Sequence, residues 1–344
     1  MSSTLIPIKS FLGKYYSELA YSVSQDKYNK SRIDRFFEQK FLIQNNKTQM
    51  IVDPNLSGLT AIVSGNEILI SKNLYDHPNV TVSNSMENQG VTHNPKSLYN
   101  PDMFSTVAYL ICQNHTMFHI VGETDEPIYI KYKSDFETFY NSVLIVNVGK
   151  NLDVEIVEEY ESHCAVNSVT NYILQENSRL NLSTFYQNNF SAISFCLRNV
   201  IAQANSKYSH VLFGKGSSCV VDESKIHADT NSTIDMLGCI DPGRSEFHTI
   251  VSILPGSPTY KFSLDHRHII SQNSKTTFTP VVVGHLPPDS FSNISSLAIE
   301  SIPELFKLEK INEFIMPIIS QATLERTVGV ERFYDNKSKF LQFQ

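Results

Sequence analysis

NLDVEIVEEY at residues 151–160, NSRLNLSTFY at 177–186, NSKYSHVLFG at 205–214 and NSTIDMLGCI at 231–240 open alike: an asparagine, usually a serine, one further residue, then a strand. Related units begin at Gly216-Ser217-Ser218-Cys219, Gly256-Ser257-Pro258-Thr259 and Asn273-Ser274-Lys275-Thr276. Asn and Gly enter the positive-φ region at the lowest steric cost, so a corner that turns sharply the same way each time selects them. The strands that follow alternate, as in Val154 and Ile156, Leu180 and Leu182, or Ile234 and Met236, which turns one face of each toward a shared core. The units are 11 to 28 residues apart, as expected for coils that hold two or more strands with turns of variable length. A β-sandwich also has short strands and regular turns, but it has no reason to reuse one corner. The pattern therefore predicts a β-helix, with Asn177, Asn205, Asn231 and Asn273 at equivalent corners of successive coils.

Helical signals flank this core. Ile33, Phe36, Phe37 and Phe41 predict a helix over Ser31 to Gln44, and Asn100-Pro101 followed by Phe104, Val107, Ala108 and Ile111 predicts a second over Pro101 to Gln113. Between them Leu59 to Val63 and Glu67 to Ile70 flank Ser64-Gly65-Asn66 as a hairpin. After Pro303, Phe306, Ile311, Phe314, Ile315, Ile318 and Ile319 give a broad apolar helical face that Pro317 interrupts. The polar stretch Arg332 to Gln344 is expected to be loosely held. The predicted architecture is mainly β: an α/β N-terminal region (1–126), a stacked-coil β-helix core (127–302) and a C-terminal helical segment (303–344).

Composition bounds the function classes. The 344-residue chain is 41% hydrophobic, long enough for a substantial core, and carries a formal charge of −7 with no basic run. A nucleic-acid surface built on phosphate neutralisation is disfavoured. No apolar stretch reaches the roughly 18 residues of a membrane span. Cys112, Cys164, Cys196, Cys219 and Cys239 form no C-x-x-C pair, so they read as reduced thiols of a cytoplasmic protein.

The order of parts resembles the SufB/SufD family of iron–sulfur cluster assembly proteins, SufD more than SufB. The resemblance runs through LTAIVSGNEILIS (59–71), NVTVSNSM (79–86), PDMFSTVAYLICQNHTMFHIVGETDEPIYI (101–130), VLIVNVGKNLDVEIVEEY (143–160), NSKTTFTPVVV (273–283) and SIPEL (301–305). It implies a SufBD-like β-helix acting as a non-catalytic scaffold. The implied partners are a SufB-like β-helix chain and a SufC-like ATPase, with docking through the C-terminal helices. The chain departs from the family where a Cys- or His-bearing segment follows the "P-x-L" piece. Here Leu305 runs into Phe306-Lys307-Leu308, and no Cys or His follows His285. No cluster-related residue carries over, so the chain alone is expected to hold no cofactor, an iron–sulfur cluster being possible only within a complex. The alternative is a structural β-helix protein of a larger particle, such as a virion component, that has lost the assembly chemistry.

Few residues invite chemistry. His266 and His268, two apart on a strand, could join His248 of a neighbouring coil as metal ligands, the preferred reading being polar strand residues on a solvated face beside Arg267. His115 and His119 read as structural, and the adjacent His163 and Cys164 point to opposite sides. Cys196, Cys219 and Cys239 sit in apolar strands as small hydrophobes, the functional alternative being thiolates offered to iron from adjacent coils. Glu155, Glu158, Glu159 and Glu161 read as an acidic solvated face. No nucleophile elbow, phosphate loop or dinucleotide fingerprint is present, so no catalytic residue is assigned. The expected partner-binding residues are Phe306, Ile311, Phe314, Ile315 and Ile318.

Overall fold

The computed structural model describes residues 5–7, 40–42, 49–64, 67–84, 108, 116–134, 140–163, 165–187, 192–215, 219–241, 246–257, 259–270, 275–282 and 292–300. Strands β1 (Leu5–Pro7) and β2 (Lys40–Leu42) form a small antiparallel pair. After β3 (Gln49–Asp53) come the hairpin strands β4 (Leu59–Ser64) and β5 (Glu67–Ser71), the one-turn helix α1 (Lys72–Tyr75), β6 (Val80–Asn84) and β7 (Thr116–Ile120). The succession continues with β8 (Ile128–Ser134), β9 (Tyr140–Val148), β10 (Asp153–Ser162), β11 (Ala165–Leu174), β12 (Arg179–Gln187), β13 (Ile193–Ala202) and β14 (Lys207–Lys215). It ends with β15 (Cys219–Ala228), β16 (Ser232–Asp241), β17 (Glu246–Pro255), β18 (Tyr260–Ile270), β19 (Lys275–Val282) and β20 (Ser292–Glu300).

From β8 onward consecutive strands alternate between two sheets. The even-numbered strands continue a ten-stranded sheet whose other edge is β4, β5 and β3, and the odd-numbered ones continue an eight-stranded sheet ending in β7 and β6. Every ladder from β8 to β20 is parallel and joins a strand to the one two places away. Each coil therefore contributes one strand to each sheet, the topology of a β-helix. A sandwich is ruled out, because its antiparallel ladders between chain neighbours are absent from this stack.

The inward positions make columns. Val154, Leu180, Tyr208, Ile234 and Phe262 fall in one register, and Ile156, Leu182, His210, Met236 and Leu264 in the next. All are buried, so the two-residue period read from the sequence does set the core face. The corners follow the same logic. Asn151, Asn177, Asn205 and Asn231 all have positive φ, between 56° and 60°, and each precedes a strand of the ten-stranded sheet. Asn177 donates its side-chain amide to Asn151 at 3.1 Å and Asn231 donates to Asn205 at 3.3 Å. The following serine caps the turn: Ser178 and Ser232 donate to the carbonyls of Gln175 and Asp229 at 2.6 and 2.7 Å.

Two expectations about the corner need correction. Asn273 lies outside the described residues, and it stands between β18 and β19, where the chain passes from the ten-stranded to the eight-stranded sheet. The other asparagines sit on the reverse passage. In the coil after Asn231 the register that pairs Ser232 with Tyr260 puts Thr259 opposite Asn231, so the Gly256-Ser257 unit is a different turn, beginning three residues earlier. The 59–70 hairpin forms as expected, with β4 antiparallel to β5 and parallel to β8. Within the segment expected to be helical from Ser31 to Gln44, Lys40–Leu42 is strand because Phe41 pairs with Ile6 of β1. Short apolar periodicity does not decide between helix and strand when a partner strand lies elsewhere in the chain. The rest of that segment and the whole of Pro303 to Ile319 lie outside the described residues. Ala108, the described residue of the Pro101 to Gln113 segment, is helical and buried.

Candidate functional site

The lumen between the sheets is apolar at both ends of the central coils but not in their middle. There Arg198, inward on β13, is fully buried. Its Nε and Nη2 donate to Glu158 Oε2 at 2.8 and 2.6 Å, and Nη1 donates to Asp222 Oδ2 at 2.5 Å. Glu158 is on β10, in the sheet across the lumen, and Asp222 is on β15 beside Arg198. Around them Tyr172 donates to Glu158 Oε1 at 2.7 Å, Thr184 donates to Glu158 Oε2 at 3.1 Å, and Tyr186 donates to Asp222 Oδ2 at 2.5 Å. Tyr132, Tyr160 and Tyr186 stack as a ladder along the same wall, with centroids 4.4 and 4.7 Å apart.

Burial sets the protonation states. It pushes the Tyr160, Tyr172 and Tyr186 hydroxyls well above the usual phenol range, and the nearby carboxylates add to the effect. Cys196 is pushed up to about 12, burial outweighing the opposing pull of Arg198 two residues along. It is a thiol at neutral pH, not a nucleophile. Burial, with Arg198 next, holds His210 well below its ordinary value, so the ring is neutral. The single hydroxyl proton of Thr184 goes to Glu158, so His210 Nε2, 3.0 Å from Thr184, carries the ring proton and donates. Arg198 stays charged because two carboxylates face it.

Glu158 is buried and does not share the solvated face expected for it with Glu155, Glu159 and Glu161. Glu159 and Glu161 do face out, paired with Lys131 and Lys133 at 2.8 and 3.3 Å. Glu158 shares the inward parity of Val154 and Ile156, and its partner lies 40 residues away on the facing sheet. The signal that could have found the cluster is Arg198 itself, a lone cation in an otherwise apolar or neutral strand, ISFCLRNVIA.

The histidine candidates separate. His266 faces the lumen, buried, its ring stacked on Phe278 at 4.1 Å. His268 stands two residues further along β18, opposite Ile240 in the register. His248 is on the outer face of the eight-stranded sheet, where Cys219 Sγ, a Glu246 carboxylate oxygen and a His248 ring nitrogen all lie within 4.8 Å of one another. Cys196 faces in, while Cys219 and Cys239 are on outer faces of different sheets, so no two of these stack on adjacent coils. The partner-binding candidates Phe306, Ile311, Phe314, Ile315 and Ile318 lie outside the described residues.

The family model of the SUF system FeS cluster assembly, SufBD core domain, matches residues 130–283. This segment is a SufBD core domain, which supports membership of the SufB/SufD family. The SufBD core thus runs from β8 to the end of β19 and contains the whole Arg198 cluster. No curated protein matches the chain. Among the described residues no helix is long and apolar enough to cross a membrane. The SufBD core connects the chain to iron–sulfur cluster assembly.

Proposed function

We propose that the chain is a SufD-like, non-catalytic scaffold subunit of a cytoplasmic iron–sulfur cluster assembly complex. The observation that carries this reading is the state of the SufBD core's interior. At its centre one guanidinium sits between two carboxylates, Tyr172 and Tyr186 are neutral donors to them, and Cys196 is protonated. Such a cluster ties the two sheets together, and among its described residues none is an activated nucleophile. The partners are a SufB-like β-helix chain and a SufC-like ATPase, reached through the apolar segment from Pro303 to Ile319. An iron–sulfur cluster forms only within the complex, because the chain lacks the Cys/His segment expected after Leu305.

Co-expression with a SufB-like chain and a SufC-like ATPase, followed by affinity capture and size-exclusion chromatography, tests the reading. A stoichiometric complex is expected, and Phe314→Asp with Ile318→Asp is expected to abolish it while the far-ultraviolet circular dichroism of the β-core is retained. Anaerobic reconstitution of the chain alone is expected to give no stoichiometric iron and sulfide. Failure to capture either partner, with the chain instead forming large homogeneous particles, would establish the structural alternative.

A further inference from the structure

Cys219 opens β15 and stands beside Glu246, the first residue of β17. His248 lies two residues along the same strand, so all three side chains leave the outer face of the eight-stranded sheet together. Cys219 is fully buried and His248 is 7% exposed. His248 Nε2 is 3.5 Å from Glu246 Oε2, and its Nδ1 is 2.8 Å from Thr277 Oγ1 on β19.

We propose that Cys219, Glu246 and His248 form a mononuclear site for a divalent transition-metal ion of the zinc or ferrous class. A thiolate, an imidazole and a carboxylate are the donors such ions take, the fourth position being left to water or to a donor from another molecule. Bonds of about 2.0 to 2.3 Å at tetrahedral angles place neighbouring donor atoms roughly 3.3 to 3.8 Å apart. The 3.5 Å between Nε2 and Oε2 already meets that spacing, and the 4.8 Å limit on the set leaves only a small side-chain rotation to close it. For a direct hydrogen bond the same 3.5 Å is long. A metal-bound imidazole has its other nitrogen fixed by a neighbour, and Thr277 does this for Nδ1. All three ligands are on paired strands of a parallel ladder, so no loop has to order when the ion binds.

A lone thiolate sets the nuclearity: iron–sulfur clusters take up to four cysteine thiolates, whereas one sulfur suffices for a single ion. The site is therefore compatible with a chain that holds no cluster by itself. It does not depend on the assembly reading, since binding of the ion needs no partner chain.

The test uses the full chain, stripped with a chelator and titrated anaerobically with Co²⁺. One equivalent is expected to bind, with a thiolate-to-cobalt charge-transfer band, d–d bands of tetrahedral intensity, and displacement by Zn²⁺. Cys219→Ser is expected to remove the charge-transfer band, and Thr277→Val to weaken binding on the order of tenfold. Since Cys219 is buried and its variant could misfold, X-ray absorption of the zinc-loaded unmodified chain provides a second readout, with one sulfur and otherwise nitrogen or oxygen neighbours expected. A sulfur-free shell, absence of stoichiometric binding, or a cobalt band that survives in folded Cys219→Ser overturns the proposal. A chain that binds the ion yet captures no partner leaves the site standing and removes only the assembly reading.

Discussion

A guanidinium sealed from water needs full compensation from its neighbours, and Arg198 receives it from Glu158 and Asp222. Removing the cation strands both carboxylates in the lumen, so Arg198→Met is expected to lower the unfolding free energy by about 3 to 5 kcal/mol. Urea denaturation measures it, and a loss under 1 kcal/mol would mean that the cluster is hydrated. His210 gives a pH dependence of known sign. Its folded-state pKa lies below the unfolded value near 6.5, so below that pH the unfolded chain binds a proton that the folded chain refuses. Stability is therefore lost as pH falls from about 6.5, by up to about 1.4 kcal/mol per pH unit for this one group. His210→Gln is expected to flatten the profile by that amount in denaturation curves taken at pH 5, 6 and 7. An unchanged slope would show that the ring titrates normally.

At the scale of the element, the corner is a backbone device. Asn205, at φ 58°, is held where a Cβ is strained. Asn205→Ala and Asn205→Gly both lose the amide contact with Asn231, so their difference isolates the backbone term. The glycine variant is expected to be the more stable by about 1 kcal/mol, read from paired chemical denaturation midpoints. In the strand after the next corner, Gly238 leaves room for His266: a Cβ there would collide with the imidazole ring, so Gly238→Ala is expected to be destabilising although glycine is a poor strand former. The alternation of each strand was legible because Val154 and Ile156 define the parity by themselves. Glu158 was misread because a carboxylate without a visible partner is normally outside. The strand at Lys40–Leu42 was misread because its pairing partner, β1, lies more than 30 residues upstream.

Across the whole molecule the parallel coils make stability a matter of nearest neighbours. Strands β11 to β16 are paired on both sides, and the Arg198 cluster couples three coils through side chains as well as backbone. β3 and β20 are the terminal strands of the ten-stranded sheet, and β3 is largely exposed. Hydrogen–deuterium exchange is expected to be slowest over residues 165–241 and to quicken toward both edge strands. Uniform protection from β3 to β20 would instead indicate unfolding as one unit.

The sequence by itself determined the β-helix, its corner residue and the inward-facing positions of its apolar strands, because positive φ and two-residue alternation are local constraints that each coil must satisfy separately. It also determined the family resemblance, carried by the order of short motifs. Only the tertiary structure decided which sheet each strand joins, and with that which distant side chains meet. Glu158, Arg198 and Asp222 are separated by up to 64 positions in the chain, and Cys219 meets Glu246 and His248 only through the parallel register of β15 and β17. Register between coils depends on coil lengths that run from 26 to 30 residues, and no local pattern in a strand states which residue will stand beside it one coil later.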